Sequence, residues 1–329
     1  MEQTDLYPLK FDPIYQYRIW GGRRLSHLLS KPLPAKDPIG EAWILSDRDD
    51  HPSKIINGKL QGQTISQLME HSPEQLLGEL AARFKRFPLL LKFLDCKQVL
   101  SVQVHPPDNL TQYIPKGEQG KTEAWVVLET GENPIIYAGL KPGTSEKDIR
   151  EKLAVHKVAD DLAHFEPVVG DSVLIKAGTV HTLGDVVVFE VQENSDVTYR
   201  LYDWDRIDEK NGKPRDLQVE EAIACIDFAE VAIKPQSPVN EDDGPELREL
   251  LIADEHFKVW RLTGAEPFMV GKDAAPRILV GVDGAGELEY KNEIYPLKKG
   301  EIMLLPASVG ACPIVPKNNL VLLEIALPA

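Results

Sequence analysis

The chain has 329 residues, and its 37 Lys+Arg against 52 Asp+Glu leave a formal net charge of −15. That balance argues against nucleic acid as a partner, because duplex binding needs clustered basic side chains to displace counterions. With 43% hydrophobic and 27% charged residues the composition is that of a packed globular protein, and at this length two domains are expected.

The first eleven residues include Glu2, Asp5 and Lys10 and no apolar run, so they do not read as a secretory signal. Residues Thr64 to Phe84 predict one helix broken at Ser72-Pro73, or a helical pair, with Leu68, Leu76, Leu77 and Leu80 on the apolar face. The strongest apolar run, Phe87 to Leu94, is short and interrupted by Lys92, and no segment spans a membrane. Trp125 to Leu128 reads as a strand, and Ser145 with Asp148 forms the capping pattern of a second helix. Val186 to Tyr202 alternates as a strand or an in-phase strand pair, and Gln218 to Ile226 as a third helix. Lys234 to Glu246, with three prolines and the acidic patch Glu241-Asp242-Asp243, is the expected linker, which divides the chain into 1–235 and 236–329. Beyond it, Arg277 to Tyr290 and Leu320 to Ala326 alternate as strands. Three cysteines, Cys96, Cys225 and Cys312, are odd in number and widely spaced, which fits free thiols and a cytoplasmic setting.

An internal repeat supports the division. Gly170-Asp171-Ser172-Val173-Leu174-Ile175-Lys176-Ala177-Gly178 and Gly300-Glu301-Ile302-Met303-Leu304-Leu305-Pro306-Ala307-Ser308 share a Gly-acid turn, an apolar strand and an Ala at the same offset. In that register His181 corresponds to Ala311, as in a duplicated β unit whose second copy lacks a ligand. Gly-acid turns before apolar strands are also common without duplication.

Three segments carry candidate chemistry. Side chains alternate across a strand, so in Leu100 to Asp108 the residues Ser101, Gln103 and His105 share one face. Lys121, Glu123 and Trp125 share another, and turn residues deliver His181 between apolar neighbours. Gln103, His105, Glu123 and His181 together offer two imidazoles, a carboxylate and an amide, a donor set suited to Zn²⁺ or a similar divalent ion with an open position. The alternatives are a solvated strand face and a hydrogen-bonded core histidine. From Glu190 to Arg200 the even-numbered residues are polar, as in a barrel lining, and Arg200 and Arg206 are cations available to an anionic substrate.

Taken in order, several pieces form a set: Ile19-Trp20-Gly21-Gly22, Ile39-Gly40-Glu41-Ala42-Trp43, Leu90-Leu91-Lys92, Gln103-Val104-His105-Pro106, Lys121-Thr122-Glu123-Ala124-Trp125, Ala177-Gly178-Thr179-Val180-His181, and Asp196 through Asp203. This set, covering most of residues 15 to 206, resembles the type I phosphomannose isomerases in their short bacterial form. The resemblance implies a mainly β fold of two cupin-like jelly-roll barrels with small α-helical insertions. The first barrel, with a helical insertion around 64–86, would be catalytic, and the second would lack metal ligands. It implies one Zn²⁺, or another divalent ion, on Gln103, His105, Glu123 and His181. It further implies a catalytic Arg200 with Lys121, Asp196 and Ser101 in the pocket, and a small phosphosugar substrate. Many relatives carry a His before the Lys of the Lys-x-Glu motif; Gly120 stands there in this chain, so no base role transfers to it. No large helical insert is present, so phosphate is expected on Ser101 and Arg206.

Such a reaction moves a proton between C1 and C2 through an enediol and needs a base together with stabilisation of the developing oxyanion. Arg200 suits the second task and is a poor proton carrier. The base is then Lys121, Asp196 or Glu193, the last also assigned to substrate binding. The competing readings are a non-catalytic double-cupin sugar-binding or regulatory protein, and an Fe²⁺-dependent cupin oxygenase.

Overall fold

The segment Leu89–Cys96 is buried along its whole length, which requires neighbours on both edges and both faces. In the computed structural model, which describes residues 5–34, 36–229, 232–241 and 244–328, this strand lies between Ile39–Leu45 and His181–Glu193, antiparallel to both. Those three strands centre a nine-stranded antiparallel sheet that also takes in Ile14–Gly22, Val102–Val104, Glu123–Leu140, Leu162–Phe165, Ser172–Ile175 and Tyr199–Tyr202.

Register decides which side chains meet. Lys92 lies opposite Glu190 on one side and Trp43 on the other, Gln103 lies opposite both His181 and Arg200, and Gln192 lies opposite Glu123. The polar side chains that alternate with Val and Leu on these strands therefore gather on one face of the sheet. The opposite face packs Phe93 against Phe189, ring centroids 5.7 Å apart, within the largest apolar cluster.

The chain after residue 238 forms two further sheets. Val239–Asn240, Leu247–Ala253, Lys258–Gly264, Leu320–Ala326, Arg277–Asp283 and Ile302–Leu305 make a six-stranded sheet; Phe268–Val270, Cys312–Pro316, Ala285–Tyr290 and Glu293–Lys298 make a four-stranded one. Leu262, Leu279, Leu288 and Leu322 are buried together in a cluster of this region. The largest cluster is continuous between the halves of the chain, joining Phe93 and Phe189 to Ile252, Phe257, Ile278 and Ile325, and Leu9 exchanges two backbone hydrogen bonds with Leu304 at 2.8 Å.

The helical expectations hold locally. Thr64 and Gln67 make a reciprocal capping box before Ile65–His71, Pro73 opens the next helix, Pro73–Leu77, at a position where its missing N–H costs nothing, and Ser145 and Asp148 cap Glu146–Ala154. Val219–Cys225 is the remaining predicted helix. Gly170 and Gly300 both adopt positive φ, which a side chain would resist, and each leads into a four-residue strand, Ser172–Ile175 and Ile302–Leu305. Ala311 directly precedes the strand Cys312–Pro316, much as His181 opens its own strand.

Two expectations are sharpened. Val186 to Tyr202 is a strand pair and not one strand: pairing with Leu89–Cys96 stops at Glu193, where Ser195 N–H turns back to the Glu193 carbonyl at 2.7 Å, and a second strand begins at Tyr199, while Glu190, Asp196, Thr198 and Arg200 of the even-numbered set line one cavity. Gln192, still in register opposite Glu123, donates its amide to the Glu193 carbonyl at 3.1 Å, and Asn194, beyond the strand, donates to the Asp47 carbonyl at 3.3 Å. The expected linker is partly structured, with Gln236 N–H donating to the Ser172 carbonyl at 2.8 Å and Val239–Asn240 joining the six-stranded sheet; Asp242 and Asp243 lie outside the described residues. All three cysteines are free and buried. Among the described residues no helix is long and apolar enough to cross a membrane.

Candidate active site

Val102–Val104, Glu123–Leu140 and His181–Glu193 bring three ligand-type side chains together. One ligand atom from each of His105, Glu123 and His181 lies within 4.8 Å of the others, and all three residues are buried. His105 donates its Nδ1–H to the Val197 carbonyl at 2.8 Å and His181 donates its own to the Thr179 carbonyl at 2.9 Å. Both imidazoles therefore turn an unprotonated Nε2 inward, the tautomer that binds metals. Each Nε2 sits 3.3 Å from a Glu123 oxygen, and neither oxygen of that carboxylate has a hydrogen bond of acceptable geometry, although Lys121 Nζ lies 2.7 Å from one of them.

Acceptors facing acceptors in a buried site repel unless a cation lies between them, so the donor set fits a divalent ion. The electrostatics agree. Burial, with Lys121 alongside, holds His105 down at about 3, and burial also lowers His181, so both remain neutral. Burial would raise the Glu123 carboxyl, but Lys121 and the two histidines outweigh it and hold it well below the usual range. Gln103 completes the group: its amide lies 3.2 Å from His181 Nε2, and an amide flip would turn its oxygen toward the same point.

Beside this cluster opens a cavity of about 400 Å³. Ser101, Gln103, Lys121, Glu123, Asp196 and Arg200 all line it, as the sequence predicts. Arg200 is a poorly partnered cation: Nη1 donates to the Asp216 carbonyl at 3.0 Å, while the buried Nε has no partner. Its guanidinium is destabilised by burial and then by nearby Arg215. Such a group favours an incoming anion.

Two predicted residues lie elsewhere. Arg206 does not line the cavity, since its donors are taken by Asp203 and by the Val99 carbonyl. Arg215, not singled out in the sequence, stands at the wall in its place, with Nε donating to Asp203 at 2.8 Å. Glu193 opens on a separate cavity of about 260 Å³, because the chain leaves the sheet at that point.

The sequence reasoning also missed a charged network in the lining of the cavity. Lys92 Nζ lies 3.3 Å from Glu190 and 3.9 Å from Asp196, over the ring of Trp43. Arg18 holds Glu41 through two hydrogen bonds of 2.8 and 3.1 Å, and Trp43 Nε1–H donates to Glu41 at 2.7 Å. Burial raises the Glu41 carboxyl, but Arg18, Lys92 and these hydrogen bonds outweigh it and hold it at about 2. Glu190 goes the other way, raised by burial and by Glu123. The available signal was Lys92 itself: a lysine inside an eight-residue apolar strand must have buried anionic partners.

A mainly β chain whose sheet gathers two histidines and a glutamate beside a polar, sugar-sized cavity defines a cupin-type protein with a candidate divalent-metal centre. The family model for the type I phosphomannose isomerase catalytic domain matches residues 8–123. Mannose-6-phosphate isomerase ManA of Bacillus subtilis is 35% identical over 308 residues, 92% of this chain and 94% of that protein. The mannose-6-phosphate isomerase of Streptococcus mutans is 32% identical over 92% of this chain and 93% of its own length. The crystal structure of the mannose 6-phosphate isomerase from Bacillus subtilis superposes with a TM-score of 0.88 at 30% identity, covering 97% of this chain and 99% of that one. The chain belongs to the type I phosphomannose isomerase family.

Proposed function

We propose that the chain is an aldose–ketose isomerase that interconverts mannose 6-phosphate and fructose 6-phosphate through an enediol, with one Zn²⁺ held by Gln103, His105, Glu123 and His181. The observation that carries this reading is the buried meeting of two imidazole Nε2 atoms, contacted at 3.2 Å by Lys121 and Gln103, with the carboxylate of Glu123 beside a cavity lined by Arg200, Lys121 and Asp196. A divalent ion bound there supplies Lewis-acid polarisation of the sugar oxygens.

The remaining chemistry belongs to the side chains. Arg200 stabilises charge developing on the enediolate oxygen and, permanently protonated, does not carry the proton. Lys121 is held in its ammonium form, because Glu123 and Glu190 outweigh the effect of burial, and so serves as a donor to substrate oxygen. Of the three candidate bases, Asp196 is then the one that lines this cavity without being held as an ammonium. Ser101, with Arg200 and Arg215, receives the anionic end of the sugar. We read residues 1–235 as the catalytic barrel and 236–329 as a second barrel without metal ligands, and the free cysteines favour a cytoplasmic setting.

The test is conversion of mannose 6-phosphate to fructose 6-phosphate with and without chelator. No conversion by the metal-loaded protein overturns the isomerase reading, and full conversion by the metal-free protein overturns the role of the metal.

A further inference from the structure

Glu193 ends the His181–Glu193 strand with its side chain turned away from the catalytic cavity. Its backbone N–H donates to the Thr122 carbonyl at 3.1 Å, and its Oε2 accepts the Thr122 N–H at 2.7 Å. One residue thus grips both backbone groups of Thr122, whose neighbours are Lys121 and Glu123. Thr122 Oγ1 in turn accepts the Ala177 N–H at 3.4 Å, in the turn that leads to His181.

On its other side Glu193 Oε1 meets His256 Nδ1 at 3.3 Å. His256 sits in the turn between Leu247–Ala253 and Lys258–Gly264, two strands of the C-terminal six-stranded sheet, and its backbone N–H is fixed by Asp254 Oδ1 at 3.0 Å. Burial pushes the Glu193 carboxyl up to about 8, with Asp108 and Asp254 adding to the rise. The same Oε1 also accepts from Gln119 Nε2 at 3.5 Å.

We propose that Glu193 and His256 are positioning residues through which the C-terminal sheet fixes the Lys121–Glu123 segment, setting metal affinity and the aim of Lys121 without touching substrate. The proposal rests on the isomerase reading above. It gives the C-terminal half of the chain a task at a site to which it contributes no ligand.

The test compares wild type, H256A, E193A and E193Q for Zn²⁺ affinity by competition with a chromophoric chelator, and for kcat and KM separately. His256 is 25% exposed, so H256A is expected to keep the fold even if E193A does not. H256A and E193A should each lower Zn²⁺ affinity and kcat about tenfold, as residues that orient metal ligands do, with KM unchanged. E193Q keeps an oxygen for the Thr122 N–H and should recover most of both. Wild-type affinity and kcat in H256A overturn the pair; equal damage in E193Q and E193A overturns the grip on Thr122. If wild type binds Zn²⁺ but does not isomerise the sugar, the isomerase reading fails, and the affinity series still decides the positioning role.

Discussion

His181, with its Nδ1–H given to the Thr179 carbonyl, turns its Nε2 to Glu123 Oε1 at 3.3 Å. Two acceptors held this close inside the protein call for a cation between them. Chelation should therefore abolish isomerisation and added Zn²⁺ should restore it. H181A should lose bound metal and at least about 100-fold in turnover, read by metal analysis beside a coupled assay.

Arg200 is expected to separate chemistry from metal binding. R200A should retain one metal per chain while kcat falls by about 10²–10³-fold, the usual effect of deleting a group that stabilises an oxyanion. Release of the ion by R200A would show that the side chain holds the ligand shell together.

Lys92 is buried between Glu190 and Glu41. Removing one partner from a buried charge cluster strands the others, so K92M should lose about 3–5 kcal/mol of stability in urea denaturation. K92M combined with E190Q should recover part of that loss, and strict additivity of the two changes would refute the coupling.

Acid should destabilise the metal-free protein through His105. Its folded value of about 3 lies below the unfolded 6.5, so between these values the unfolded chain takes up a proton that the folded chain refuses. The stability present above pH 6.5 is lost as pH falls through that window, by at most about 1.4 kcal/mol per unit. Thermal melts of chelated protein from pH 7 to 4 should show the slope, and H105N should flatten it.

Glu193 should impose the opposite slope. Its folded value of about 8 lies above the ordinary 4.5, so its contribution is intact below pH 4.5 and is lost as pH rises toward 8, where the unfolded chain ionises first. E193Q should gain stability over wild type across that range, and parallel pH profiles for the two proteins would contradict the burial argument.

The sequence made legible what local pattern controls. Thr64 and Ser145 cap the helices their spacing predicts, and the alternation through Ser101, Gln103 and His105 marks a polar strand face. The meeting of His105, Glu123 and His181, a group that could hold a metal ion, was legible because these residue types are restricted. The even-numbered parity carries Glu190, Asp196, Thr198 and Arg200 to one cavity, but the strand itself ends at Glu193, where a turn of one hydrogen bond between Ser195 and Glu193 intervenes and no residue there announces it. Arg206 and Arg215 carry the same charge in neighbouring loop segments and both pair with Asp203, and only folding decides that the first also donates to the Val99 carbonyl while the second stands at the cavity wall. Glu41, Arg18 and Lys92 lie far apart in sequence and meet through strand register alone.

The walls of the catalytic cavity carry five basic side chains, Arg18, Lys92, Lys121, Arg200 and Arg215, and five acidic ones, Glu41, Glu123, Glu190, Asp196 and Asp208. With all ten ionised they balance. A divalent ion entering alone leaves an excess of positive charge, and a sugar phosphate dianion entering alone leaves an equal excess of negative charge. Together they cancel, so each ligand lowers the electrostatic penalty of admitting the other. By reciprocal linkage, a divalent ion held there would strengthen the binding of an anionic sugar by the same factor as the sugar strengthens that of the ion, within a chain of net charge −15.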